Sequence, residues 1–341
     1  MAEVRVGIVS WNTADLLDRC LHTLSAALGD LDAEVVVVDN ASADSSADVA
    51  GAYAATHPRV TVVTNEANVG YARAMNQALS DSDAPVLIAL NPDTAPPPGS
   101  LADLVADLNA HPEAGLVVPT LVGSQGERQH SVYRFPTITV AAVVSFVPYR
   151  LQRGSIGRRW ALEAAATPAP SGPIDWAIGA VHVIRAKALD GQPPYSQRWF
   201  MYVEDAELCW RLREGGWAVR LDAEVTIPHH GNAAGAQAWG DARARRFWDA
   251  TYDFIAQTRG RAYARALAAL NVVGVTFHLA TNAIGSRIPG PMRPIHHQVA
   301  LDLRAVLPVH ISVATHGALA PDDDGHIAPR KLVRPGPLDQ T

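Results

Sequence analysis

Two aspartates in this chain close buried-looking strands. Asp39 ends the apolar run EVVVV and precedes Asn40; Asp93 ends VLIAL by way of Asn91 and Pro92. In open α/β sheets, ligands bind in the crevice outside the carboxyl ends of the strands. There Asp39 is suited to accept hydrogen bonds from a base or ribose, and Asp93 to meet a metal ion or phosphate. Either residue alone reads equally well as a turn former or helix cap. A second acidic group, Glu204, Asp205 and Glu207, lies in FMYVEDAELCWRLREGGW, near the start of a helix whose Leu208 and Leu212 face inward. The helix dipole favours acids in a first turn, yet three of them exceed what capping requires. A carboxylate against an apolar wall is desolvated, its proton affinity rises, and it can act as a general base. Arg211, one helical turn after Glu207, is spaced to pair with that acid and leave Asp205 free.

These side chains need a scaffold, and the hydropathy pattern supplies one. Residues 4–9, 34–38, 60–64 and 86–90 read as strands, separated by helical patterns over 14–28, through Ala54 and over 71–79. Such alternation implies right-handed crossovers and an α/β fold, a doubly wound, mostly parallel sheet flanked by helices. The clusters Ser10-Trp11-Asn12, Asp39-Asn40, Asn68 to Tyr71 and Asn91 to Asp93 then leave the same sheet edge. Neither a dinucleotide fingerprint nor GxxxxGK[ST] is present, so phosphate charge needs another partner, for which a divalent cation on Asp93 is the candidate.

Further on, a helix is expected over 101–108 and a short strand over 115–118. Residues 120–173, including the basic piece RLQRGSIGRRW, read as a long, partly mobile loop region. Regular structure resumes over 174–184, with a helix over 203–214 and two short strands, 218–221 and 224–227, ahead of His229 and His230. An arginine- and aromatic-rich helix follows over 241–258. Residues 266–285 are uncharged and flanked by arginines, a length that just crosses a bilayer. Asn271, His278, Thr281 and Asn282 make this stretch only mildly apolar, which ranks a buried or dimer-interface helix ahead of an interfacial membrane helix. The tail from Pro321 has the composition of a weakly ordered segment. The expected domains are 1–235, divided into a nucleotide half (1–95) and an acceptor half (96–235), a helical extension over 236–320, and the tail 321–341.

With 341 residues, 48% of them hydrophobic, the chain has ample material for a core. Its net charge of −6 gives no general attraction for nucleic acid. Cys20 and Cys209 sit in apolar periodic segments and read as buried thiols of a reducing cytoplasm, and the start MAEVRVGIVSW enters a strand at once, with no secretory signal evident.

In order along the chain, SWNTADLLDRCLHTL, VVVVDNASADSS, NVGYARAMNQAL, LNPD, WAIGAVHVIRAKAL, FMYVEDAELCWRLREGGW and PHHG resemble the family 2 glycosyltransferases, and specifically their rhamnosyltransferase-like branch. The resemblance runs from about Val6 to Gly231. It implies a GT-A fold and inverting transfer from a nucleoside-diphosphate sugar. Its nucleotide-binding positions fall on Ser10, Trp11, Asn12, Asp39, Asn68, Gly70 and Asn91. The DxD position falls on Asn91-Pro92-Asp93, which keeps only the last acid. The resemblance implies Asp93 as the ligand of a Mg or Mn ion, with a histidine near the end of the domain, His229 ahead of His230, completing the metal or diphosphate site. The Glu-Asp pair matches Glu204 and Asp205, with Asp205 as catalytic base, and Gly179 and Ala180 match a segment lining the sugar and acceptor site. Two departures stand out: HHGNAAGAQAWG has Asn232 where the family often has a serine, and DGQPPYSQRWF is proline-rich just before the base.

The expected activity is metal-dependent transfer of a sugar, rhamnose first, from a dTDP- or UDP-sugar to a hydroxyl. The acceptor would be a glycan, a glycolipid or a secondary metabolite, with a lipid-linked one favoured by the apolar helix. The expected location is the cytoplasm, with peripheral contact to the inner membrane face or homodimerisation through the C-terminal helices. A sugar-phosphate nucleotidyltransferase would carry a lysine-containing phosphate loop early in the chain, and residues 7–20 have no lysine. The shortened DxD motif leaves room for a nucleotide-sugar binder without activity.

Overall fold

A computed structural model of the protein describes residues 2–123, 125–147, 170–231, 243–288, 291 and 293–317. The piece RLQRGSIGRRW, Asn232, the boundary near residue 235 and the tail 321–341 lie outside the described residues.

The chain opens with β1 (Val4–Ser10), α1 (Ala14–Leu28), β2 (Ala33–Asp39), α2 (Ser46–Thr56), β3 (Val60–Thr64), α3 (Tyr71–Leu79) and β4 (Val86–Leu90). It continues with α4 (Ser100–Ala110), β5 (Ala114–Val122), β6 (Val132–Tyr133), α5 (Ile138–Phe146), β7 (Gly172–Ile174), β8 (Trp176–Ala177) and β9 (Val181–Arg185). Last come α6 (Glu204–Glu214), β10 (Ala218–Pro228), α7 (Arg243–Arg259), α8 (Arg261–Gly285) and α9 (Arg293–His316). One eight-stranded sheet has the order β3-β2-β1-β4-β9-β5-β10-β7, and β6 pairs with β8 apart from it.

The first four strands are parallel to one another, β5 is parallel to β10, and β9 runs antiparallel between β4 and β5. That reversal positions the site. Because Leu90 pairs with Val181, the start of β9 lies at the carboxyl ends of the parallel strands, and Gly179 and Ala180 arrive beside Asn91.

Both faces of the sheet are buried, which the uncharged strand runs require. In β4, Val86, Ile88 and Leu90 join a core with α1 and α4, while Leu87 and Ala89 join the opposite core with α3 and α6. Residues of α7, α8 and α9 close this second core, so the C-terminal helices are packed onto the sheet side that holds α6. At Gly7 the packing leaves no room for a side chain: a Cβ would come within 2.9 Å of Met75, Ala78 and Leu79 of α3.

Several expectations need correction. Residues 120–173 are not all loop: β5 runs on to Val122, because its apolar residues pair with β10, and β6 and α5 follow. The two short strands over 218–227 are one strand with a register shift between Asp222 and Thr226, where polar residues of the expected turn are accommodated as an irregularity. The sequence pattern shows neither the antiparallel direction of β9 nor the bounds of α9, which falls inside the helical extension expected over 236–320.

Candidate functional site

Four loops meet at the ends of β1, β2, β3 and β4. Ser10 and Asp39 are register partners, both buried, and Asn40 donates its backbone N–H to Ser10 O at 2.8 Å. Asn12, at φ 53°, accepts the Ala43 N–H at 2.6 Å and donates its own backbone N–H to Ser42 Oγ at 2.9 Å, fastening the first loop to the second. Trp11 lies half-buried in the same turn. Asn40 fastens the third loop: its Nδ2 donates to Asn68 Oδ1 at 2.9 Å and its Oδ1 accepts the Val69 N–H at 3.1 Å. Asn68 Oδ1 also accepts the Gly70 N–H at 3.0 Å. Gly70 adopts φ 85°, and a Cβ there would stand 2.6 Å from Phe200 O, the acceptor of the Tyr71 N–H. Only glycine meets both demands.

Among the described residues, four buried side-chain oxygens at this edge have no hydrogen-bond donor: Asp39 Oδ1, Asn91 Oδ1, Asp93 Oδ1 and Glu204 Oε2. Buried acceptors are normally satisfied, so a group of orphans marks where a ligand's donors or a cation would bind. Ala180 O accepts the Asn91 N–H at 2.9 Å, which ties the start of β9 to the Asn-Pro-Asp turn.

Asp93 and His229 face each other, with Nε2 3.3 Å from Oδ1 and both side chains almost fully buried. Gln129 sets the imidazole: its Nε2 donates to His229 O at 2.5 Å, which turns its Oε1 towards Nδ1 at 2.7 Å. Nδ1 therefore carries the proton in the neutral ring, and Nε2 presents a lone pair to a carboxylate oxygen. Two acceptors face to face repel unless a proton or a cation stands between them. The pair is chemically suited to a hard divalent ion that keeps waters and takes phosphate oxygens as further ligands. Among the described residues, no group of three or more His, Cys, Asp or Glu forms a fuller cage.

The second acidic group begins α6. Tyr202 and Val203 precede it at φ 74° and 69°, two successive left-handed residues other than glycine. Such backbone costs on the order of 1–3 kcal/mol per residue and persists only where packing over-determines it. Here Val203 is buried, and Tyr202 meets the ring of Phe247 of α7 edge-on. The turn delivers Glu204 into a buried place and Asp205 into a half-buried one. Asp205 Oδ1 accepts the Ala206 N–H at 2.7 Å and Oδ2 accepts the Gly179 N–H at 3.2 Å. Burial raises the proton affinity of both acids, and the Asp205 charge raises that of Glu204 further. Backbone N–H donors oppose the rise at both acids, three at Asp205 and one at Glu204, which favours Asp205 as the carboxylate of the pair. Glu207 pairs with Arg211 at 3.1 Å, as its spacing predicts, and takes no part in this pair.

Tyr71 joins the halves and was missed from sequence. Its hydroxyl donates to Gly179 O at 3.2 Å, and its acidity is suppressed by burial and then by the charges of Glu204, Asp205 and Asp93. His182, also missed, lies beneath Gly179, where burial lowers its pKa to about 4; its Nδ1 accepts from Tyr195 OH at 3.0 Å. Gln129 was missed too, since it stands in a stretch that reads as loop. The left-handed turn before Glu204 has no sequence signal, because neither residue is Gly, Asn or Asp.

Residues 5–162 match the family described as Glycosyl transferase family 2. Over that stretch the chain resembles a family 2 glycosyltransferase. Over 236 residues, 65% of this chain and 74% of the relative, it is 26% identical to the N-acetylglucosaminyl-diphospho-decaprenol L-rhamnosyltransferase of Mycobacterium tuberculosis. Over 105 residues, 30% of each protein, it is 37% identical to the succinoglycan biosynthesis protein ExoU of Rhizobium meliloti. Among solved structures, the mannosyltransferase PcManGT of Pyrobaculum calidifontis, in complex with GDP-Man and Mn2+, superposes with a TM-score of 0.55 at 18% identity, over 91% of this chain and 87% of that one. The chain thus has a GT-A type fold, extended by helices at its carboxyl end, and over 65% of its length it is similar to a rhamnosyltransferase.

Proposed function

We propose that this glycosyltransferase moves a sugar, with rhamnose the leading candidate, from a dTDP- or UDP-sugar to an acceptor hydroxyl with inversion at the anomeric carbon. The observation that carries the mechanism is the geometry of Asp205: a half-buried carboxylate held by two backbone amides beside a second, buried acid whose proton affinity burial raises. Asp205 takes the proton of the acceptor hydroxyl as that oxygen bonds to the anomeric carbon. On the opposite face the bond from carbon to diphosphate breaks, and the nucleoside diphosphate leaves with the electron pair. A base of this kind contributes roughly 10²–10⁴-fold to rate.

The orphan oxygen of Asp39 suits a base or ribose donor, and the loops of Ser10, Trp11, Asn12, Asn68, Gly70 and Asn91 surround the nucleotide. Gly179 and Ala180 line the sugar and acceptor space, where the Gly179 backbone donates its N–H to Asp205 and accepts from the Tyr71 hydroxyl. Asp93 and His229 would hold a Mg or Mn ion, which supplies charge stabilisation to the leaving diphosphate. The transferase domain spans residues 1–235, with its nucleotide half in 1–95, and works in the cytoplasm. The tuberculosis relative's name specifies a lipid-linked diphosphate acceptor, which supports an acceptor of that class here.

Calorimetric titration with a panel of nucleotide sugars, with and without Mn2+, followed by assay for transfer, tests this reading. Metal-dependent binding of a dTDP- or UDP-sugar followed by transfer is expected. Pyrophosphate exchange with sugar phosphate would instead identify a nucleotidyltransferase, and binding without turnover a binding protein.

A further inference from the structure

An apolar surface on the C-terminal helices plays no part in the site above. At helical spacing, Ala266, Ala269, Val273, Phe277, Ala280 and Ile284 form one exposed stripe of α8. Val273, Phe277 and Ile284 are 57%, 52% and 60% exposed. Ile288, just after α8, and Ile295, in the first turn of α9, are also exposed, and on α5 Phe146 lies 6.3 Å from the Phe277 ring. Isolated exposed apolar residues are ordinary, but a continuous patch marks an interaction site.

Its charge says what lies opposite. Between residues 259 and 317 there are six arginines and one acid, Asp302, in a chain whose net charge is −6. Arg265 and Arg287 stand near the two ends of the stripe, and Arg293 at the turn. A second copy of this face, brought up across a two-fold axis, would set arginine-rich surface against arginine-rich surface. An anionic lipid surface satisfies both the charge and the apolar stripe. Length and composition would let α8 cross a bilayer, but its other face is committed to protein. Ala264, Leu267, Ala268, Asn271 and Gly274 are buried there, and Asn271 Nδ2 donates to Tyr252 OH of α7 at 2.8 Å. A helix packed in this way lies in the interface and does not span.

We propose that the α8–α9 hairpin docks on an anionic bilayer, with the stripe sunk roughly 5–10 Å into the boundary between headgroups and acyl chains. The docked helices are tied to the site. Asp253 of α7 accepts from Arg198 Nε at 2.5 Å, Arg198 Nη2 at 2.9 Å and Trp199 Nε1 at 3.2 Å, and the chain runs directly from these residues to Glu204. If the acceptor is lipid-linked, a point that rests on the proposed function, docking holds Asp205 at a fixed height above the acceptor's headgroup. The docking itself does not depend on that reading.

The test is co-sedimentation of the full chain with phosphatidylcholine vesicles and with vesicles containing phosphatidylglycerol, at low and high salt. Nucleotide titration and light scattering are run on the same samples. Binding to the anionic vesicles, weakened by salt, is expected. Val273→Glu and Ile284→Glu, both at exposed positions, should abolish it while leaving the helical circular dichroism and nucleotide binding unchanged. The double variant Arg287→Gln, Arg293→Gln should weaken it roughly 30-fold. No sedimentation with anionic vesicles, equal binding by the glutamate variants, or a dimer that those variants convert to monomer would overturn the proposal. Loss of nucleotide binding with vesicle binding intact would instead count against the transferase reading.

Discussion

Replacing Asp205 with asparagine keeps the side chain's shape and removes its capacity to take a proton. The carboxylate now receives two backbone N–H groups, from Ala206 at 2.7 Å and Gly179 at 3.2 Å, one on each oxygen. Asparagine has one acceptor oxygen, so its NH2 must face the second donor, and losing that part-buried bond costs about 1 kcal/mol of stability. The catalytic loss is larger. Removing a positioned base lowers turnover roughly 10²–10⁴-fold, or about 3–5.5 kcal/mol of barrier. Nucleoside diphosphate release gives kcat, and calorimetry gives the affinity for the nucleotide, which Asp205 does not touch in this reading. The expected result is a fall in kcat of that size with nucleotide affinity within about twofold of wild type. The pH profile is a second readout. Burial raises Asp205 above the ordinary aspartate value of about 3.9, so wild-type kcat rises with pH through an acid limb displaced upward, and the variant lacks that limb. Turnover within about tenfold of wild type, with the acid limb retained, would refute the assignment of the base.

Glu204→Gln should stabilise the fold at about pH 8. Glu204 binds its proton more tightly folded than unfolded, so its stabilising contribution is present below about pH 4 and is lost as pH rises through the raised folded value. Thermal melts across pH check the sign: wild type should decline over that window and the glutamine variant less. Gln129→Leu frees the His229 ring and should weaken Mn2+ binding in the presence of nucleoside diphosphate roughly 10–100-fold, measured by electron paramagnetic resonance. Asp93→Ala should abolish the difference between nucleotide titrations with and without Mn2+; an unchanged difference would reject Asp93 as a ligand. Gly70→Ala adds strain at φ 85° and a clash with Phe200 O, and should lower stability by about 1–3 kcal/mol in denaturant titrations.

The nucleotide half was readable because its elements are short and strongly patterned. EVVVV and VLIAL are buried on both faces, so their apolar runs and terminal aspartates located Asp39 and Asp93 at the sheet edge before any coordinates. The pairing of Glu207 with Arg211 followed from helical spacing. The rest depends on contacts distant in sequence. Gln129 lies 100 residues from the histidine it orients, and Tyr71 lies 108 residues from the carbonyl its hydroxyl reaches. The antiparallel direction of β9 is a property of pairing with β4 and β5, and its apolar residues would read the same in a parallel strand. The exposed face of α8 was also hidden, because a helix apolar on every side shows by composition alone neither which side is covered nor by what.

Inverting transfer can be tested before the acceptor is known, because slow hydrolysis of the donor uses water in the acceptor's place. Proton nuclear magnetic resonance during Mn2+-supported hydrolysis of the donor selected by the binding panel reports the first anomer formed. Asp205-assisted attack opposite the diphosphate predicts the inverted anomer, with its formation strongly reduced in Asp205→Asn. A retained anomer, or hydrolysis equally fast in the variant, would contradict it.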